Sequence, residues 1–344
     1  MTLGEQGRTA RLTIAEIATA AGVSVPTVSK VLNNHPQVSA ATRQHVEQVI
    51  QSMGYVRNRA AQALAKGRSG LIDLVITRLD SEYYYEIVRG VQDAISEAGL
   101  QLVLSTTEDE SQRESRWFER VIDRSTDGAI LVLPHGQETY IESLRVAQMP
   151  FVIVDERSEL SADVPAIAAT NWAGGAQAVR HLIALGHRRI AMTRGPAFLS
   201  IKARYAGYRA ALDEEGIPFR PEYVVEGLYT LDDGRRLTQQ LLDLPEPPTA
   251  IFTSNDLQAA GAYRAILSRG LRIPHDISII GFDDLPFASL LTPALTTIRQ
   301  PLAEMGRHAV SLLLQQIAGK KLGTPRIELS TTLIQRDSCA PPRL

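Results

Sequence analysis

Thr77 and Arg78, Asp155, Thr193 and Arg194, Ser254, Asn255 and Asp256, and Asp283 and Asp284 all follow directly on short apolar runs of the chain. As a set they are strongly polar. Carboxylates and amides placed opposite an arginine can hold the hydroxyls of a sugar-like ligand, with an aromatic ring covering its apolar face. Tyr83, Tyr84 and Tyr85, Trp172 and Tyr229 are available for that covering role. Several of these residues also have a purely structural use: Asp256 is expected to cap the helix of NDLQAAGAYRAI, and His187 in LGHRRI is expected to be a packed residue. At least one of the three tyrosines must be core or surface.

A second set lies near the N-terminus, in GVSVPTVSKVLNNHP. If Val28, Val31 and Leu32 form the buried stripe of a helix, then Val25, Pro26, Ser29, Lys30 and Asn33 face outward. Pro26 falls in the first turn, where the amides have no intrahelical acceptor, so it does not break the helix. Two apolar residues followed by hydroxyls and a cation suit a DNA major groove: thymine methyls for the first, hydrogen bonds for the rest.

These residues need scaffolds, and the pattern supplies two. Thr13, Ser24 and Ser39 are placed to cap three short helices. The first carries Ile14, Ile17, Ala18 and Ala21 and is closed by Gly22; the third carries Val46, Val49, Ile50 and Met53 and is ended by Gly54. The join between the first two is short and contains a glycine, as in a helix-turn-helix. The first 68 residues hold eight Lys or Arg and three Glu, a net +5, whereas the rest of the chain is net −7. A basic module of this kind suits a polyanion. It is followed by a short alanine-rich stretch after Asn58 and a Gly/Ser/basic linker.

From residue 71 the runs LIDLVI, LQLVLS, AILVLP, FVIVD, RRIAMT, TAIFTS and ISIIGFDD alternate with helical patterns, the signature of parallel sheets with crossover helices. GVQDAISEAGL, GYRAALDEEGI and GAYRAILSRGL repeat one spacing. Each reads as a helix of about two and a half turns closed by a C-cap glycine. This implies an internal duplication: two doubly wound lobes, beginning near residues 71 and 172.

The run LTIAEIATAAGVSVPTVSKVLNNHPQVSAATRQHVEQVIQSMGYVRNRAAQALA, residues 12 to 65, resembles the headpiece and hinge of the LacI/GalR (lactose-repressor/galactose-repressor) family of bacterial transcriptional regulators. TNWAGGAQAVRHLIALGHRRIAM, IFTSNDLQAAGAYRAI and RIPHDISIIGFDDLPFASLLTPALTTIRQP are similar to that family's effector domain, so the resemblance spans essentially the whole chain. It implies an all-α helix-turn-helix headpiece over 12–57 and a hinge helix and linker over 58–69. The core would be α/β and periplasmic-binding-protein-like, with one lobe over 70–171 plus 299–330 and the other over 172–298 plus 331–344. It implies that Val25 and Pro26 read bases, and that Ser24, Thr27, Ser29, Lys30 and Asn33 contact bases or phosphates. Thr13, Thr42 and Asn58 would lie on the DNA backbone, with Leu64 as a wedge in the minor groove. By the same resemblance Tyr84, Tyr85, Arg204, Tyr229, Asn255, Asp283 and Gln300 contact the effector. Two departures stand out: Lys30 replaces the usual arginine and loses its bidentate fork, and Arg57 replaces the proline usual before the hinge asparagine.

The implied partners are double-stranded operator DNA, a second copy of the chain, and a small-molecule effector, mostly a sugar in this family with purines and others a minority. The C-terminal CAPPRL without leucine heptads points to a dimer rather than a tetramer. No GxGxxG follows the first strand, where ITRLDSEYYYE stands, and there is no GxxxxGK, GxSxG or HExxH. No catalytic residue, metal site or cofactor is therefore expected. A single cysteine, Cys339, and an N-terminus without an apolar block point to the cytoplasm and its nucleoid. An exported solute-binding protein, which shares the body's pattern, would have no use for residues 12 to 66. A metabolite that promotes DNA binding is the closer alternative. Leu64→Ala is expected to weaken specific operator binding and to leave weak non-specific binding largely intact; equal loss of both in a titration would remove the wedge role.

Overall fold

The computed structural model describes residues 12–55, 68–77, 79, 81–107, 126–132 and 137–343. The chain forms two compact units, Met1–Ser69 and Gly70–Leu344. Arg57, Asn58, Leu64 and the expected hinge helix, as well as Arg78, lie outside the described residues.

In the first unit, helix α1 (Ile14–Ala20) starts at Thr13, whose Oγ1 accepts the Glu16 N–H while the Glu16 carboxylate accepts the Thr13 N–H, a reciprocal capping box. Gly22, at φ 63°, ends it in a Schellman turn: Gly22 N–H donates to Thr19 O and Val23 N–H to Ala18 O. Ser24 caps α2 (Val25–Leu32) and Ser39 caps α3 (Ala40–Ser52), each by accepting the amide three residues on. Ile17, Ala18, Ala21, Val28, Val31 and Val46 form the shared core, with Leu32, Val49, Ile50 and Met53 half-buried around it. Arg43 on α3 donates to Asn34 Oδ1 and His35 O, which ties down the turn after α2.

The second unit alternates β1 (Leu71–Ile76), α4 (Glu82–Glu97), β2 (Gln101–Thr106), β3 (Gly128–Val132), α5 (Gln137–Val146), β4 (Phe151–Val154) and β5 (Ala166–Ala169). It continues through α6 (Asn171–Ala184), β6 (Ile190–Arg194), α7 (Leu199–Glu214), β7 (Val224–Glu226), α8 (Leu231–Leu242), β8 (Ala250–Thr253) and α9 (Asp256–Ser268). Last come β9 (Ser278–Asp283), β10 (Thr296–Arg299), α10 (Leu302–Ile317), β11 (Arg326–Leu329) and β12 (Thr332–Ile334). Two six-stranded sheets result, ordered β2-β1-β3-β4-β5-β11 and β7-β6-β8-β9-β10-β12. Their order is the same, and all neighbours are parallel except β12 against β10. This is the doubly wound pattern whose ligands sit beyond the carboxyl ends of the strands. The chain passes between the sheets three times: after Ala169, after Arg299 and after Leu329. Arg299 pairs in register with Asp283 and so belongs to the second sheet, one residue beyond the boundary expected from sequence.

Helices cover both faces of each sheet, with α4 and α10 burying Ile87, Val91, Met305 and Leu313 against one face of the first. Gly90, Gly207 and Gly261, the first glycines of the repeated spacing, sit inside α4, α7 and α9, which are longer than the two and a half turns expected. There they are crossing points. A Cβ on Gly90 would strike the Ala303 carbonyl of α10, one on Gly207 the Trp172 carbonyl of α6, and one on Gly261 the Leu231 carbonyl of α8. The partner helices answer with Gly306, Gly175 and Gly234, where a Cβ would likewise come within 3 Å of the facing backbone. Gly207→Ala is therefore expected to destabilise the protein by about 1–3 kcal/mol, although alanine is the better helix former. The midpoint of urea unfolding checks this; an unchanged or raised midpoint would show that the α6–α7 pair can spread at no cost.

Candidate functional site

On α2 the core side is closed and the opposite side is open. Val28 and Val31 are buried, whereas Val25, Pro26, Lys30 and Asn33 are exposed and Thr27 and Ser29 are half-exposed. Ser24 and Thr27 share a hydroxyl contact at 2.9 Å, as do Ser39 and Thr42 at 2.8 Å. Thr13, Ser24 and Thr42 thus stand at the N-termini of the three helices, where free backbone amides and the positive end of the helix dipole favour anionic groups. The face presents one cation, two apolar side chains and several hydroxyls, as DNA bases and phosphates require.

In the second unit a cavity of about 480 Å³ lies beyond the strand ends of both sheets. The first lobe contributes Thr77, Ser81, Tyr83, Tyr84, Asp155 and Arg157; the second contributes Phe198, Arg204, Tyr229, Asn255, Asp283 and a rim of leucines. Tyr84, Arg204, Tyr229, Asn255 and Asp283 therefore line one cavity. Tyr85 does not: it points away from the cavity lining and is 62% exposed. Gln300 stands behind the wall, buried, and its Nε2 donates to Asp283 Oδ1 at 2.7 Å, so it positions the carboxylate rather than lining the cavity.

Arg204 organises the second-lobe wall. Its Nε donates to Asn171 Oδ1 at 2.8 Å, its Nη1 to Ser254 O at 2.5 Å, and Nη1 lies 3.7 Å from Asp283 Oδ1. The guanidinium is stacked 3.6 Å from the centroid of Phe282. Asn255, not Asp256, caps α9: its Oδ1 accepts the Gln258 N–H at 2.9 Å, which leaves its Nδ2 for the cavity. Asp256 is fully buried one residue further in, where it accepts from Leu285 N–H at 2.8 Å and Thr297 Oγ1 at 2.6 Å. Gly195 leaves room for Tyr229, whose ring would occupy the place of any side chain there. Tyr229 leans on Phe198 at a centroid distance of 6.0 Å, and the Arg157 guanidinium lies over the Phe198 ring, 4.3 Å from its centroid.

Asp155 and Asp283 hold equivalent places in the two sheets, at the ends of β4 and β9, and both have positive φ (57° and 114°). Burial raises both carboxyls. For Asp155 this is opposed by the hydrogen bond from Tyr83 Oη, at 2.5 Å, and by Arg204. For Asp283 burial prevails over Arg204 and Gln300 and carries the carboxyl to about 7. Desolvation pushes the Tyr83 and Tyr229 hydroxyls upward, so both remain neutral donors. His187, by contrast, is buried far from the cavity, bonded to Thr249, Ser278 and Ala340. Among the described residues no three or more His, Cys, Asp or Glu side chains are placed to hold a metal ion, and no helix is long and apolar enough to cross a membrane.

Residues 13–58 match the bacterial regulatory proteins of the lacI family, and residues 179–339 match the periplasmic binding protein-like domain. Over 95% of this chain and 99% of its relative, the sequence is 35% identical to the ribose operon repressor of Escherichia coli (strain K12). The chain belongs to the LacI family of bacterial regulatory proteins. Among solved structures, the lac repressor dimer bound to operator and the anti-inducer ONPF superposes with a TM-score of 0.84 at 31% identity, covering 96% of this chain and all of that one. The transcriptional regulator CelR in complex with cellobiose gives a TM-score of 0.74 at 33% identity, covering 95% and 100%. This LacI-family chain is thus a DNA-binding transcriptional regulator.

For a LacI-family effector lobe the sequence reading left Tyr83 undistinguished among the three tyrosines and passed over Arg157 and Phe198. A signal for the first was present: Ile87, Val91 and Ile95 mark the inward stripe of α4, and at helical spacing Tyr83 and Tyr84 share that side while Tyr85 does not. Asp283 also generates a pH dependence. Its folded carboxyl lies above the unfolded value near 3.9, so its contribution to stability is complete below that value and is lost as pH rises through about 7. Without ligand, the melting temperature is expected to fall between pH 5 and 7 and to level off above that, and to fall less in Asp283→Asn. Some slope will persist, because Asp256 is shifted in the same direction. Equal slopes in the two proteins would show that Asp283 does not titrate there.

Proposed function

We propose that this protein is a repressor that binds a pseudo-palindromic operator as a homodimer through the outward face of α2, and is released by a carbohydrate held in the 480 Å³ cavity. The observation that carries the reading is the composition of that cavity: two carboxylates at pseudo-equivalent strand ends, a fixed guanidinium, a free amide donor and tyrosine rings, all converging on one space shared by the lobes. Such groups match a ring bearing hydroxyls on its edge and C–H bonds on its face. The relative whose name refers to ribose and the solved complex with cellobiose support the same class. Because the cavity draws on both lobes, a bound ligand stabilises one lobe arrangement over another, and operator affinity changes by the same factor that DNA imposes on the ligand. Neither half of this switch involves bond-making chemistry.

A second reading, a purine or related metabolite that strengthens DNA binding, draws on the Phe198–Tyr229 pair, which can clasp a planar ring. Operator binding followed by fluorescence anisotropy, with a panel of pentoses, hexoses, disaccharides and nucleosides, separates the two by ligand and by sign. Asp283→Ala is expected to keep operator affinity and lose the ligand response; a normal response in that variant would refute the cavity assignment. Lys30→Ala is expected to cost about 1–3 kcal/mol on the cognate operator only. A uniform loss on all sequences, with a shallower salt dependence, would place Lys30 on a phosphate instead.

A further inference from the structure

A smaller cavity, of about 230 Å³, lies beside the first and shares only Asp155 and Ser200 with it. Its first-lobe wall is acidic: Asp155 and Glu156 follow β4, and Glu328 comes from β11. Its second-lobe wall carries Trp172, at the start of α6 and 45% exposed. The apolar remainder comes mainly from alanines and Leu199, and Leu199 N–H donates to Arg157 O at 2.9 Å, joining the lobes at the cavity's edge.

Glu156 is 8% exposed, and its Oε2 is buried without a hydrogen-bond donor among the described residues. A buried carboxylate oxygen left without a donor costs stability that a ligand bringing a donor would recover. Burial raises the Glu156 carboxyl above its ordinary range and Asp155 and Glu328 add to that, while its own backbone N–H and the charge of Arg326 oppose it. The missing partner is therefore a cation. A metal ion does not fit, because among the described residues no three carboxylates converge closely enough to ligate one. An organic ammonium does: its N–H groups reach the carboxylates, its short alkyl body fills the apolar part, and its charge lies against the indole of Trp172.

We propose that this second cavity is a binding site for a small organic ammonium ion, held by Glu156 and Trp172, which bridges the two lobes independently of the ligand in the larger cavity. Residence at the first and third crossings between the sheets makes it a modulator of the same lobe arrangement. The volume corresponds to roughly seven or eight waters at about 30 Å³ each, which sets the scale of the ligand at a C4 to C6 amine.

The test uses the full-length protein with n-butylammonium, 1,4-diaminobutane and, as the uncharged isostere of the first, n-butanol, read by titration calorimetry and thermal shift. Saturable binding of the ammonium ions at millimolar concentrations, with none for the alcohol, is expected. Glu156→Gln keeps the shape and removes the charge, and is expected to weaken ammonium binding on the order of tenfold or more. Trp172→Ala, at a partly exposed position, is expected to weaken it as well, whereas Tyr229→Ala, confined to the larger cavity, is expected to leave it unchanged. Equal binding of amine and alcohol, no saturable binding, or loss on Tyr229→Ala with none on Glu156→Gln would each overturn the proposal. These outcomes are independent of whether a carbohydrate occupies the larger cavity.

Discussion

One buried guanidinium holds the effector unit's strand ends in place. Arg204 comes from α7, yet its bonds go to the first residue of α6, to the carbonyl after β8 and toward the carboxylate that ends β9, while its flat face rests on Phe282. Asp155, Asp256 and Asp283 are all buried within the same region, and among the described residues no second buried arginine lines the cavity. Carboxylates outnumber the cation, so burial shifts the surplus toward the protonated form and hydrogen bonds from Tyr83, Thr297 and Gln300 take up what remains. The consequence reaches both lobes, because Asn171 and Gln300 sit at two of the crossings between the sheets. A change in the charge seen by Arg204 is felt where the lobes join.

The duplication places that charge problem symmetrically. Asp155 and Asp283 end corresponding strands and turn into left-handed backbone, which short polar side chains tolerate better than branched ones. Each therefore leaves its strand at an angle that faces the other across the cavity. Leu285 extends the link: its amide is held by Asp256 in the second lobe while its side chain joins the apolar core of the first. The lobes are thus separate in topology and continuous in packing.

Much of this was legible from residue order alone, for reasons that are local. Thr13, Ser24 and Ser39 cap helices because an oxygen three residues before a free amide does so wherever it occurs, and α2 shows its inner and outer faces through helical spacing alone. The long strands announce themselves as apolar runs because both faces of a parallel sheet are covered. What could not be read depends on distant partners. AIAA, VVE and RIEL become strands because neighbours in the sheet supply hydrogen bonds, not because three or four residues prefer to be extended. The repeat of Gly90, Gly207 and Gly261 does not reveal the opposing carbonyls they meet, and the exchange of roles between Asn255 and Asp256 turns on an amide at Leu285 and a hydroxyl at Thr297.

The return of α10 and β11 to the first sheet has a consequence for the order in which the chain can fold. Leu302, Met305, Ala309, Val310 and Leu313 belong to the first lobe's core, although all of the second lobe but β12 and the C-terminal tail lies between them and the strands they cover. During synthesis the first lobe emerges early with one face of its sheet covered by α4 alone, and it stays so until more than a hundred further residues have been made. The later lobe is able to close nearly all of its sheet before the earlier one is complete. Cellular chaperones would meet this protein with its first-made half waiting for its last helix.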